Sequence, residues 1–325
     1  MRYISLTPQG PVVSRICIGS VFYGTTVPQK TVFEQLDYFY HHGGNFIDTA
    51  HVYADWLPNG QGASEIAIGA WLKERKIRDK IIISTKGAHP NLKTMDIPRM
   101  GRAEVRQDLE ESLGRLGTDW VDLYFLHRDD ASRPVEEILF MLEEFKKEGK
   151  IIHYGCSNWK RERLEEADSI AARKGWDGFI CNQLMWGIGD INWQGLTDKS
   201  LVAMDAEIYE YHTRSQKAVM AYSSSCKGYF SKKIKNLPVT QAMEAVYGAP
   251  SNDALLRRLP DIERETGVKT AVIVSAYIMA QEFPSIPIAS FSSLSQMDEG
   301  MAACDFDFPP ELLKEIRQSR AYVVY

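Results

Sequence analysis

The chain has 325 residues, with 38 lysines and arginines against 43 aspartates and glutamates, for a formal charge of −5. That balance excludes nucleic acid as the main partner, because phosphate binding needs a basic face. A composition 44% hydrophobic and 25% charged excludes general disorder. The longest apolar stretch, residues 270–280, holds Ser275 and Tyr277 and falls short of the ~18 residues a membrane span requires. The first residues lack the apolar core and cleavage site of a secretory leader, so cytoplasmic residence is expected. Five scattered cysteines with no CxxC pair predict buried reduced thiols, not a disulfide framework or a zinc site.

In chain order, the segments 2–6 and 11–14 flank Thr7-Pro8-Gln9-Gly10, which is turn chemistry and predicts a small hairpin. Eight short β-rich runs follow, at 16–18, 45–48, 81–85, 121–126, 153–157, 178–182, 218–221 and 286–289. Helical candidates with one apolar face lie between them: Val32, Phe33, Leu36, Phe39 and Tyr40, then Leu109, Leu113 and Leu116, then Ile138, Leu139, Leu142 and Phe145. Strand and helix in eightfold alternation predict parallel βαβ units. Continuously apolar strands such as 80–84 indicate a sheet covered on both faces. The expected fold class is α/β, a (β/α)8 TIM barrel of one domain over 1–325, its base closed by the hairpin, with long rim insertions at 187–198 and 231–251. An open doubly wound sheet would carry a glycine-rich phosphate turn, and neither GxGxxG nor GxxxxGK[ST] occurs.

The unusual polar residues gather where the predicted strands end: Asp48 and, five positions on, Tyr53 after the second, Lys86 after the third, His127 after the fourth. In a barrel those ends share one rim. Each residue alone has a plainer reading, Asp48 as a helix cap or turn former, Lys86 and His127 as exposed or merely hydrogen-bonded groups. Together they supply an acid–base apparatus for carbonyl reduction. Hydride arriving at a carbonyl carbon leaves an alkoxide-like oxygen that needs a proton. A phenol can give it, an ammonium makes that proton easier to donate, a carboxylate holds the ammonium, and an imidazole orients the oxygen.

With Asp48-Thr49-Ala50 and Tyr53, Thr85-Lys86 and Leu126-His127 in that order, the sequence resembles the aldo-keto reductase family over nearly its whole length. The resemblance implies that Asp48, Tyr53, Lys86 and His127 are catalytic. It also implies that Ser157, Asn158 and Gln183 hold a nicotinamide carboxamide, and that Tyr222, followed by Ser223, stacks on the ring. The plain reading of Ser157-Asn158 is a helix cap before Lys160. After the eighth strand the stretch containing Ser290, Ser292, Gln296 and Glu299 matches the family's adenine-end segment but has no Lys or Arg, and Gly300 replaces the usual Asn. NADP(H), the cofactor the family implies, and NAD(H) are therefore both open, with Ser hydroxyls, backbone N–H groups and a distant Lys227 available to a 2′-phosphate.

The substrate cues are Tyr23, Trp56, Arg128 and Trp186, with His89 and Trp193, in predicted rim loops. Aromatic faces mixed with charged hydrogen-bonding groups suit a polar, sugar-like carbonyl compound; the plainer reading pairs Arg128 with Asp129 and packs the tryptophans into loops. The expected function is NAD(P)H-dependent, reversible reduction of an aldehyde or ketone without metal. The alternative is an NAD(P)-binding regulatory or sensor subunit with little turnover. A metal-dependent hydrolase is disfavoured because no HxH occurs and adjacent His41 and His42 project about 100° apart on a helix.

Overall fold

Two short strands, β1 (Tyr3–Ser5) and β2 (Val12–Ser14), pair antiparallel, the turn between them closed by the Gly10 N–H to Thr7 O bond at 3.1 Å. This is the predicted hairpin, seen in a computed structural model that describes residues 1–324. Strands and helices then alternate: β3 (Cys17–Gly19), α1 (Gln29–His41), β4 (Phe46–Asp48), α2 (Ala63–Arg75), β5 (Ile82–Gly87), α3 (Arg102–Leu116), β6 (Val121–Leu126), α4 (Val135–Lys147), β7 (Ile151–Ser157), α5 (Arg161–Lys174) and β8 (Cys181–Met185). The second half is more elaborate: β9 (Ile191–Asn192), α6 (Ala206–Ser215), β10 (Ala218–Tyr222), α7 (Tyr229–Ile234), α8 (Gln241–Tyr247), α9 (Asp253–Thr266), α10 (Thr270–Met279), β11 (Ser285–Ala289), α11 (Leu294–Ala302), α12 (Pro310–Gln318) and β12 (Val323–Val324).

Eight of the strands close a parallel barrel in the order β3, β4, β5, β6, β7, β8, β10, β11 and back to β3. Side chains along a strand alternate between the two faces of the sheet, so each strand has one inward and one outward column. Inward at the base, Phe46, Leu123, Phe125, Cys181, Met220 and Ile286 pack with Leu6 and Val13 of the hairpin, which is how β1 and β2 plug that end. Phe125 fills the middle because β7 offers Gly155 opposite; a Cβ there would come within 2.5 Å of the ring. Two residues farther along the same strands the column turns polar: Phe46 leads to Asp48, Phe125 to His127, Cys181 to Gln183, Met220 to Tyr222. Outward residues such as Ile47, Ile83, Tyr124 and Tyr154 pack under α1 to α5.

One detail differs from the sequence expectation. The sixth barrel strand runs 181–185, not 178–182: Gly178 is left-handed (φ +70°), and its N–H bonds the Tyr154 hydroxyl, so the apolar Phe179-Ile180 pair is the approach to the strand. The rim segments 187–198 and 231–251 are structured. The first carries β9, which pairs with β12 near the C-terminus, and the second folds largely as α7 and α8. The apolar run at 270–280 is α10, a buried helix; no helix among the described residues is long and apolar enough to cross a membrane. The five cysteines are unpaired and buried.

Candidate active site

Asp48 ends β4, and its main chain is gripped by hydroxyls: Ser20 Oγ donates to the Asp48 carbonyl at 2.7 Å, and Ser64 links Ser20 to Thr49. Its carboxylate points into the barrel and accepts from Lys86 Nζ (2.7 Å), Ser84 Oγ (2.7 Å), Gln183 Nε2 (3.0 Å) and the Tyr53 hydroxyl (3.2 Å). None of this is a cap or a turn. Lys86 lies within β5, fully buried, and completes its donor set on Thr49 O (2.8 Å) and the Tyr53 oxygen (2.8 Å). Tyr53 is brought over the rim by a turn whose His51 N–H binds Lys86 O at 2.9 Å. His127 follows β6, its ring 5.9 Å from that of Tyr53 in an edge contact. The four predicted residues therefore meet.

Their electrostatics follow from burial. Desolvation, then the Asp48 charge and hydrogen bond, push the Tyr53 phenol well above 10. In the resting site burial and Asp48 set the direction, and the Tyr53 hydroxyl donates to Asp48 while accepting from Lys86. Burial lowers the Lys86 ammonium against the opposing pull of Asp48. Burial, with His89 and Arg128 adding to it, drives His127 well below 6.5. Its Nδ1 is buried without a partner among the described residues.

On the next strands, Ser157 ends β7 and Gln183 lies within β8, in register with each other. Asn158, left-handed at φ +62°, is fully engaged: Nδ2 donates to His127 O (3.2 Å) and Ser157 Oγ (3.0 Å), and Oδ1 accepts from Val202 N (2.9 Å) and the Tyr222 hydroxyl (2.6 Å). It does not cap α5, whose N-cap is Lys160. Beside it opens a cavity of about 430 Å³ lined in part by Met185, Asp198, Tyr222, Ser223 and Lys227. A hydroxyl and two amides next to the tetrad, with an aromatic face and a cation along the cavity wall, suit a carboxamide and a diphosphate. A carboxamide meeting Asn158 would take the place of one of its internal partners.

The residues expected at an adenine end are engaged within the chain. Ser290 Oγ donates to Gly19 O, Gln296 Oε1 accepts from Ser292, and Glu299 pairs with Lys269 at 2.6 Å. Lys269 stands just before α10, thirty residues upstream in sequence, so the local motif gave no sign of it. The substrate cues divide. Trp56 is half exposed, whereas Tyr23 and Trp186 are buried at 3% and 1%. Trp186 is enclosed by Phe283, Tyr209, Tyr277 and Tyr322, because the segment after β8 folds back against α10 and the C-terminal region. Tyr23 packs with the α1–α2 core, and its hydroxyl finds no partner among the described residues. Arg128 does not pair with Asp129, which is held by Arg163. It binds Asp198 (3.0 Å), Ser200 (2.9 Å) and His127 O (2.9 Å). Sequence reading missed Ser84 and Ser64, unremarkable serines in apolar runs, and left His89 among loop aromatics although its ring lies 4.8 Å from His127.

Comparison with known proteins shows the family. The family model described as Aldo/keto reductase family matches residues 15–321. An uncharacterized oxidoreductase, YrpG, of Bacillus subtilis is 27% identical over 322 residues, spanning 97% of this chain and 94% of that protein. Aryl-alcohol dehydrogenase [NADP(+)] of Phanerodontia chrysosporium is 24% identical, over 96% and 84% of the two chains. In fold, the chain is similar to the thermostable aldo-keto reductase Tm1743, solved with the inhibitor epalrestat, with a TM-score of 0.75 at 23% identity over 98% of this chain and all of that one. With the family model spanning all but the N-terminal hairpin and the last few residues, this chain belongs to the aldo/keto reductase family and is an NAD(P)-dependent oxidoreductase.

Proposed function

We propose that the protein is a cytoplasmic enzyme that reduces a small polar aldehyde or ketone reversibly, with Tyr53 as proton donor and NADP(H) or NAD(H) as hydride source. The observation that carries the reading is the contact of Lys86 Nζ with both Tyr53 OH and Asp48 Oδ2, at 2.8 and 2.7 Å. Ser157, Asn158, Gln183 and Tyr222 would hold a nicotinamide, which would supply the hydride. Lys227, Ser223, Ser290, Ser292, Gln296 and Glu299 would be available to its diphosphate and adenine ends.

The residues of the chain manage the proton. Held neutral by burial, Tyr53 keeps a transferable hydrogen at neutral pH, and a small rotation of the O–H bond turns it from Asp48 toward a carbonyl oxygen. Lys86 stabilises the phenolate left behind, and Asp48 keeps Lys86 charged. A buried N–H without a partner costs more than a bare lone pair, so the His127 proton sits on Nε2, where it can polarise the carbonyl. The test is oxidation of NADPH and NADH, followed by absorbance, against a panel of aldehydes, ketones and free sugars. Tyr53→Phe should bind cofactor as tightly as wild type and lose about 10²-fold or more in kcat. Turnover unchanged in Tyr53→Phe removes Tyr53 as donor, and cofactor binding without turnover of any carbonyl favours a sensor role.

A further inference from the structure

We propose that His89 reads a hydroxyl group on the carbon next to the carbonyl, so that the substrates of this site are neutral α-hydroxy aldehydes and ketones; the inference rests on the carbonyl-reduction reading above. His89 follows β5 after a left-handed Ala88 (φ +62°). Its loop is pinned on both sides: Ala88 N–H donates to Asp108 Oδ2 at 2.9 Å, and Arg99, in a two-point pair with the same carboxylate, donates to His89 O at 3.2 Å. A ring on such a support is a fixed recognition element.

The tautomer is set by the neighbour. His89 Nδ1 lies 2.7 Å from Pro90 O, a carbonyl that can only accept, so Nδ1 carries the hydrogen and Nε2 presents a lone pair. Burial, with Arg128 next in effect, lowers His89 to about 4, so the ring stays neutral and Nε2 stays an acceptor at physiological pH. The residue is only 8% exposed, yet Nε2 has no protein partner among the described residues and is not sealed from solvent. Edge to face with it, ring centroids 4.8 Å apart, is His127. Two neighbouring imidazoles thus offer one donor, His127 Nε2–H, and one acceptor, His89 Nε2. An α-hydroxy carbonyl presents the complement: an oxygen that accepts and, on the adjacent carbon, a hydroxyl that donates.

The nearby cations argue for a neutral ligand. Arg128 is committed to Asp198, Ser200 and His127 O, and Lys86 to Asp48, Thr49 O and Tyr53, so neither charge is free for the carboxylate of a keto acid. The test compares kcat/KM for hydroxyacetone, butanone and pyruvate with wild type, His89→Phe and His89→Gln. Wild type should favour hydroxyacetone over butanone, with pyruvate poorest. The hydroxyacetone-to-butanone ratio should fall about tenfold in His89→Phe and recover in part in His89→Gln, which retains an acceptor. Comparing the ratio between variants cancels the intrinsic reactivities of the ketones. His89→Asn, whose shorter amide stops short of the ligand, repeats the measurement where the apolar variant does not fold. An unaltered ratio in His89→Phe, or pyruvate as the best ketone, overturns the inference alone. Absence of turnover with every carbonyl overturns the carbonyl-reduction reading and this inference with it.

Discussion

Asp48→Asn isolates the charge that organises the site without changing its shape. At 2.7 Å and an effective dielectric constant of about 20, the Asp48–Lys86 attraction amounts to about 6 kcal/mol, set against the cost of burying both ions. With the carboxylate gone, Ser84 and Gln183 still find an oxygen at position 48, but the Lys86 ammonium is buried without a countercharge, a defect worth about 3–5 kcal/mol of stability. Burial already lowers Lys86, so the variant's lysine should shed its proton on folding while the unfolded chain keeps it. The unfolded state then binds more protons, and stability must rise with pH, by up to about 1.4 kcal/mol per pH unit until the lysine's unfolded value is passed. Urea unfolding at about pH 7 and pH 9 measures this as the difference from wild type, which should shrink at the higher pH. Lys86→Met added to Asp48→Asn should recover most of the lost stability and abolish the pH dependence, while carbonyl reduction stays about 10²- to 10⁴-fold down. A loss below about 1 kcal/mol, or one that is the same at both pH values, would refute the claim that Asp48 keeps Lys86 charged.

Two further outcomes follow from the same burial. With Tyr53 held well above 10 and His127 well below 6.5, kcat/KM for reduction should be flat between about pH 6 and 8; an inflection near 6.5 that His127→Gln removes would show that the imidazole is charged. His212, whose Nδ1 donates to Lys217 O and whose Nε2 faces the Asn182 amide, is lowered by burial to about 4. It is neutral in the fold and takes a proton only on unfolding as pH falls below 6.5, so it should withdraw up to about 3 kcal/mol of stability by pH 4, seen as a falling urea midpoint whose slope His212→Gln reduces.

The tetrad was legible because on β4 and β6 the inward-facing column is apolar until it ends at one ionisable residue, Phe46 leading to Asp48 and Phe125 to His127. The hairpin was legible from its turn. Placement in loops was not. Trp186 and Tyr23 sit next to strand ends in sequence, but whether such a residue faces solvent or folds back depends on partners far along the chain. For Trp186 these are Phe283 and Tyr322. Arg128 has a charged neighbour at Asp129, yet its partner is Asp198, 70 residues away, delivered by the segment after β8. The strand at 181–185 was set too early because Phe179 and Ile180 are apolar for the approach, not for the ladder.

Burial acts on the members of this site in one sense, disfavouring ionisation of the Tyr53 phenol, the His127 imidazole and the Lys86 amine alike. Left to desolvation alone the rim would hold polar but uncharged groups, able to hydrogen-bond a carbonyl but poor at stabilising the charge that develops on it. Asp48 changes that outcome for Lys86 and no other member, because only Lys86 shares its carboxylate at ion-pair distance while being of opposite sign. The same carboxylate acts oppositely on Tyr53, raising it and keeping its proton in place. One buried anion therefore holds a cation beside the phenol and a hydrogen on it, the two conditions proton donation needs together. Ser20, with Ser64 behind it, holds the main chain at Asp48, and Ser84 holds the carboxylate, so these serines position the anion.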